Sequence, residues 1–231
     1  MLKAGKRFTA VALLLLCTPI TAAIAADPEV KAGGVPLVLP APPGDFVEVG
    51  DKLRSMFFEL LVPSRNRLLT AYAPPSKIDT IGKVNGPGLD WYGMVEVPRQ
   101  AEYTDVTPDV FEQVVKAFDT SLGAEAAEHT GDTMAEINLR LKQVGGKPIK
   151  AGHPEMLGGL FREADAAGYG MLTAYQQEEK TYTMATGMAA VRVKQRLLFA
   201  YIFRKYESPE TVALVRKDLG SWVDSILGRN K

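Results

Sequence analysis

The chain has 231 residues, 46% of them hydrophobic, and its 27 basic and 27 acidic side chains give a formal net charge of zero. This length is enough to bury one domain core, and the balanced charge lacks the basic surface by which proteins bind nucleic acid, so no nucleic-acid partner is expected. A single cysteine, Cys17, excludes an intramolecular disulfide.

The first 26 residues have the order of a secretory signal peptide. Three basic side chains, an apolar run and a string of mostly small residues follow one another: Lys3, Lys6 and Arg7, then Ala10–Leu16, then Ala22–Ala26. The apolar run is too short to remain as a membrane anchor. Ala23 and Ala25 satisfy the Ala-x-Ala rule, which predicts cleavage after Ala25, with cleavage after Ala26 as the close alternative.

Cys17 lies inside this leader and follows Leu16. A lipoprotein signal needs a small residue directly before its cysteine, and leucine is bulky, so we expect no lipid. A lipid-anchored envelope component held through Cys17 is the alternative.

Removal of the leader takes away three basic and no acidic side chains, which leaves 24 basic against 27 acidic ones and a net charge of −3. The mature chain has no glycosylation acceptor and no second apolar segment of membrane-spanning length. These features predict a soluble protein exported to the bacterial periplasm.

Composition divides the chain into three parts. Residues 1–26 are the signal peptide, residues 27–44 a Pro/Ala/Gly-rich extended segment, and residues 45–231 a single α+β domain. Five prolines interrupt the middle part, which favours an extended tail, with a short edge strand at Val35–Leu39 as the alternative.

Apolar side chains recur at helical spacing in four places. They predict helices over Leu53–Leu61, Thr107–Leu122, Ala124–Leu141 and Ser208–Gly228. Thr107 is a capping hydroxyl followed by proline at the first helical position. The third helix, interrupted near Gly131, has a narrow apolar stripe and should lie at the surface. The last helix has a broad stripe that should bury Trp222 against a sheet.

Short apolar or alternating runs bounded by turn residues predict the strands. They are Leu68–Ala73, Trp91–Val97, Leu157–Phe161, Tyr169–Tyr175, Tyr182–Val191 and Leu197–Phe203. Short turns between strands imply antiparallel pairing, and a strand that is apolar at every position needs cover on both faces. The expected fold class is therefore α+β, a mainly antiparallel sheet with helices packed on both faces.

The order of packing motifs resembles that of exported bacterial proteins of unknown function with a PsbP-like α/β/α sandwich. The segments that carry the resemblance are Phe46–Val49, Arg67–Ala73, Trp91–Arg99 and Leu197–Phe203, followed by Tyr206, Ser208, Val215, Arg216, Trp222, Ile226 and Asn230. The resemblance implies an α/β/α fold and an export route. It implies no catalytic or binding residue, because every matched motif is a packing pattern.

The sequence contains no motif that fixes a reaction, so the catalytic residues remain unknown. There is no nucleophile elbow and no phosphate loop. His129 and His153 are the two histidines, and neither has a second histidine at helical spacing, so no metal site and no cofactor is expected. A hydrolase whose serine, histidine and aspartate meet only in the fold stays open as the alternative.

Two groups of side chains admit both a binding and a packing interpretation. Trp91 and Tyr92 could stack on a ligand, but aromatic residues at a strand start usually pack. Met171, Met184 and Met188 have the thioethers that soft metals bind, but methionines that alternate in a strand usually fill the core. We therefore expect a protein that acts by binding or assembly rather than catalysis. Its partner is an envelope protein or a small ligand that the sequence does not identify.

Overall fold

The computed structural model describes residues 29–78, 81 and 90–231, with the side chains of residues 125–127 and 129 outside that description. The predicted leader, Cys17 and the cleavage positions Ala25 and Ala26 lie outside the described residues.

The described chain forms a two-stranded hairpin and an eight-stranded sheet. The hairpin pairs β1 (Glu29–Ala32) with β2 (Val35–Val38). The sheet contains β3 (Val47–Glu48), β4 (Asn66–Ala73), β5 (Trp91–Pro98), β6 (Lys150–Ala151), β7 (Glu155–Arg162), β8 (Ala166–Gln177), β9 (Lys180–Val193) and β10 (Arg196–Lys205). Its order is β3-β4-β5-β10-β9-β8-β6, with β7 also paired to β8, and the pairs are antiparallel. The prediction of antiparallel pairing is confirmed.

Five α-helices accompany the strands in the described residues. They are α1 (Asp51–Leu53), α2 (Glu59–Leu61), α3 (Pro75–Ile78), α4 (Pro108–Gln143) and α5 (Pro209–Arg229), and a π-helical turn at Arg54–Phe58 joins α1 to α2. Within the described residues, no helix combines the length and the hydropathy that a bilayer crossing requires.

Helix α4 is continuous over 36 residues, so the prediction of two helices with an interruption near Gly131 is wrong. A glycine in a helix interior costs about 1 kcal/mol relative to alanine, which packing elsewhere on the helix offsets. Ile137 and Leu141 are buried against Ile149 beyond the glycine. At the other end, the Thr107 hydroxyl accepts a hydrogen bond from the Val110 amide at 3.3 Å, which confirms the predicted cap.

Both faces of the sheet are covered. On one face, α5 and the β1–β2 hairpin enclose a core that includes Trp222, Ile202 and Leu198. On the other, α4 and the α1–α2 segment cover apolar side chains of β5, β8, β9 and β10. The expected fold class is therefore confirmed: the chain is an α+β protein with three layers, helices on both sides of an antiparallel sheet.

The segment predicted as an extended tail is an ordered part of the core. Leu37 and Leu39 are fully buried, the Trp222 indole donates a hydrogen bond to the Pro40 carbonyl at 2.7 Å, and the Asn230 side chain bonds both backbone groups of Val38. The alternative of a short strand at Val35–Leu39 is confirmed by β2. The expectation of a tail does not hold for residues 29–40, which are extended but pack into the core.

Candidate functional site

A cavity of about 520 Å³ lies between α4 and the sheet. Its walls are mostly apolar and aromatic, with a few hydroxyl, amide and guanidinium groups among them. They are Leu61, Arg65, Asn66, Phe118, Leu122, Thr130, Thr133, Met134, Ile137, Ala151, Pro154, Met171, Thr173, Tyr175, Met188, Phe199 and Tyr201. The volume lies within the range of small-molecule binding sites in proteins.

Strand alternation determines which side chains reach the cavity. Met171, Thr173 and Tyr175 occupy alternate positions of β8, so they project from the same face of the sheet. Tyr169 of β8 pairs with Met188 of β9, which places that methionine beside them. Phe199 and Tyr201 alternate in the same way on β10.

Helix α4 supplies the opposite wall from one of its faces. Phe118, Leu122, Thr130, Met134 and Ile137 all line the cavity, and their spacing is that of one side of a helix. The Phe118 ring lies 5.8 Å from that of Phe199, so the helix and the sheet contact each other at this end of the cavity. The cavity exists because the two walls are in contact at the ends and separated between them.

A second cavity of about 100 Å³ adjoins the first. Leu61, Met134, Ile137 and Tyr175 line both of them. The small cavity also has Tyr92, Met94, Ile149, Tyr182, Met184 and Phe203 in its wall.

Glu96 is a buried carboxyl group beside the larger cavity. It is 3% exposed and accepts a hydrogen bond from the Asn66 side-chain amide at 2.8 Å. Glu96 on β5 lies opposite Phe199 on β10 in the sheet, and Phe199 lines the cavity. Burial raises the pKa of Glu96 from 4.5 to about 7, against the opposing effects of the Asn66 hydrogen bond and the charge of Arg65. This carboxyl group is thus near its titration midpoint at neutral pH.

Three tyrosines surround this region and remain neutral. Burial is the main cause that raises the pKa of Tyr92, Tyr175 and Tyr201 above the usual value. Their hydroxyl groups therefore stay protonated at neutral pH and can donate as well as accept hydrogen bonds. Tyr175 and Tyr201 line the large cavity, so a ligand there meets aromatic surface that carries polar ends.

Arg65 is the charged residue among the described lining residues. Its side chain is exposed at the cavity, and within the described residues it has no ion pair. The neighbouring Arg99 differs, because its guanidinium donates to the carbonyls of Ser64 and Asn66 and holds that loop in place. The cavity therefore combines apolar walls with one accessible cation.

His153 does not line this cavity. The His153 side chain is exposed, one residue before Pro154 of the cavity wall. The His129 side chain lies outside the described residues. Among those that are described, no group of three or more histidine, cysteine, aspartate or glutamate side chains converges as metal ligands would.

The other candidates of the sequence analysis have definite positions. Trp91 packs edge-on against Phe46 at 4.5 Å, and Arg204 lies 4.5 Å from its ring centroid, so this tryptophan is a packing residue as expected. Tyr92 is stacked on Phe203 at 4.5 Å and lines the small cavity. Met184 and Met188 are buried in the apolar core, as expected, and they also line the cavities: Met171 and Met188 the larger one and Met184 the smaller.

Neither a protein-family model nor a curated protein matches the chain. Among solved structures, the chain is similar to a mutant form of the protein Mog1. The identity is 13%, the match covers 88% of this chain and 92% of that one, and the TM-score is 0.30. No statement about the function of this chain follows from a structural similarity at that level.

Proposed function

We propose that the mature protein is exported to the bacterial periplasm and acts there by binding a small, largely apolar ligand in the cavity between α4 and the sheet. Export is supported by the basic, apolar and small-residue order of residues 1–26. Membership of the PsbP-like exported proteins remains part of the proposal, supported by the packing motifs of the sequence.

The observation that carries the binding proposal is the lining of the 520 Å³ cavity. Apolar and aromatic side chains form most of its wall, and a few polar groups, among them Asn66 and Thr173, lie at separate points. Proteins bind small molecules in sites of this kind because the apolar wall provides affinity and the polar groups fix the orientation. Methionines in the wall, such as Met134 and Met171, allow it to adapt to the ligand.

Intact and native mass spectrometry of protein recovered from the periplasm tests both halves of this proposal. The denatured mass should begin at Ala26 or Asp27 and carry no lipid, since Leu16 precedes Cys17 in place of a small residue. The native mass should include a bound molecule that is released on unfolding. A diacylated N-terminal Cys17 would contradict soluble export.

A fluorescent apolar probe, N-phenyl-1-naphthylamine, tests the cavity directly. Thr133 is half-buried in the cavity wall, so Thr133→Trp should fill the space and weaken probe binding by at least tenfold, a threshold of roughly 1.4 kcal/mol. Thr120 lies exposed on the same helix and does not line the cavity, so Thr120→Trp is the matched control and should bind like the parent. Equal binding by both variants, at equal melting temperature, would exclude the cavity as the binding site.

A further inference from the structure

We propose that the ligand of the large cavity is a long-chain fatty acid, with its carboxylate at Arg65 and its unbranched chain across the sheet. This inference rests on the proposed binding function and specifies the ligand.

The charge of the lining supports an anionic head group. Arg65 supplies the charge among the described lining residues and its side chain is exposed. Within the described chain its charge acts on the buried Glu96, but it forms no ion pair. A guanidinium binds a carboxylate through two parallel hydrogen bonds, and this is stronger than a neutral contact. One cation on an otherwise uncharged wall matches a ligand with one negative charge.

The shape of the lining supports a chain rather than a compact ring system. The lining includes Asn66 on β4 at one side of the sheet and Met171 on β8 at the other, with β5, β10 and β9 lying between those two strands; β10 and β9 contribute lining residues and β5 does not. From β4 to β8 there are four interstrand spacings, about 19 Å in total. A spherical cavity with the measured 520 Å³ would be only about 10 Å across, short of that span. An elongated apolar molecule fits such a site.

The groups around the Arg65 end tolerate a carboxylate. The groups that interact with the buried Glu96 are Asn66 on β4, Arg65 directly before that strand, Tyr92 on the same strand as Glu96, and Tyr201 on β10. Burial raises the pKa of Glu96 to about 7, so this group is largely neutral in mildly acidic solution and does not repel a second carboxylate there. Thr130 and Thr133 add hydroxyl groups elsewhere in the wall.

Displacement of N-phenyl-1-naphthylamine by dodecanoate, 1-dodecanol and dodecylamine at pH 6 tests the assignment. Dodecanoate should bind at least tenfold more tightly than either of the others, and affinity should rise severalfold for each pair of methylenes from octanoate to tetradecanoate, because each buried methylene adds apolar area. Tighter binding of the alcohol or the amine would overturn the fatty-acid assignment while leaving the binding function intact.

Variants of Arg65 locate the head group. Arg65→Gln should weaken dodecanoate at least tenfold and leave 1-dodecanol unchanged, and Arg65→Lys should recover part of the loss because it keeps the charge. Lys217 is an exposed cation on α5, across the sheet from the cavity, so Lys217→Gln is the matched control. Equal dodecanoate affinity in the Arg65→Gln and Lys217→Gln proteins would overturn the proposal.

Two outcomes separate failure of the assignment from failure of the function. A peptide, in place of a fatty acid, in the native mass of periplasmic protein would refute the ligand class and keep the cavity as a binding site. A parent protein that binds neither the naphthylamine probe nor any of the three amphiphiles would refute both.

Discussion

Replacing Glu96 by glutamine should make the free energy of unfolding less dependent on pH, so that the stability of the variant relative to the parent rises as the pH passes through neutral. Glu96 is 3% exposed and its pKa rises from 4.5 to about 7 because burial disfavours the charged form. In the unfolded chain the carboxyl group is solvated and titrates near its ordinary value. The folded state must therefore bury an ionised carboxylate once the pH exceeds 7.

The sign and the size follow from proton linkage. Between pH 4.5 and pH 7 the folded state binds more protons at Glu96 than the unfolded state does, so stability falls as the pH rises through this interval. One pKa unit corresponds to 1.36 kcal/mol, so the full loss is about 3 kcal/mol and is complete above pH 7. Glutamine has the same shape and can still accept the hydrogen bond from Asn66, but it does not titrate here.

Urea unfolding of the parent and of the Glu96→Gln protein between pH 4.5 and pH 8 measures this effect. The difference in unfolding free energy between the two proteins should change by about 3 kcal/mol across that range. An effect of the amide that does not depend on pH shifts the whole curve and leaves this change the same. Glu59 is an exposed carboxylate on α2, so Glu59→Gln serves as the control and should give a curve parallel to that of the parent. A parallel curve for Glu96→Gln as well would refute the argument that burial perturbs this group.

Two further predictions concern packing around α5, and both are measured by urea unfolding. Trp222 is fully buried, contacts the Tyr72 ring and donates to the Pro40 carbonyl, so Trp222→Ala should cost about 3–5 kcal/mol; an unchanged free energy of unfolding would mean that α5 is peripheral. A Cβ at Gly187 would lie 2.7 Å from Val215, so Gly187→Ala should cost about 1–3 kcal/mol. Gly228→Ala, whose Cβ would meet open space, should cost nothing, and a similar loss in both alanine variants would contradict the steric explanation.

Local patterns predicted the elements whose signal lies within one segment. The alternation of Tyr182–Val191 gave strand β9, and the broad apolar stripe after Ser208 gave helix α5. The same local reasoning failed at Gly131, because it weighed the small cost of a glycine without the packing of this part of the helix against Leu61 and Tyr175, which are far away in the sequence.

The two ionisable residues Glu96 and Arg65, one beside the cavity and one in its wall, were missed for different reasons. Glu96 had a visible signal, since it is a carboxylate inside the apolar strand Trp91–Val97, at a position whose neighbours face the core. Arg65 had none, because it lies in the polar cluster that ends the first helical segment, where a charged residue is ordinary. The carboxylate-binding role proposed for Arg65 depends on the elements that lie opposite it in the fold.

The sequence by itself determined the antiparallel α+β class, the helix starts at Thr107 and Ser208, and the expectation of export, because caps, alternation and leader composition are properties of neighbouring residues. The tertiary structure alone decided that the segment up to Pro40 packs against Trp222, and that Asn66 and Met171 line one cavity. These residues are far apart in the chain, and only strand register and the path of α4 bring them together. A cavity is a gap between surfaces, and no local pattern of residues encodes it.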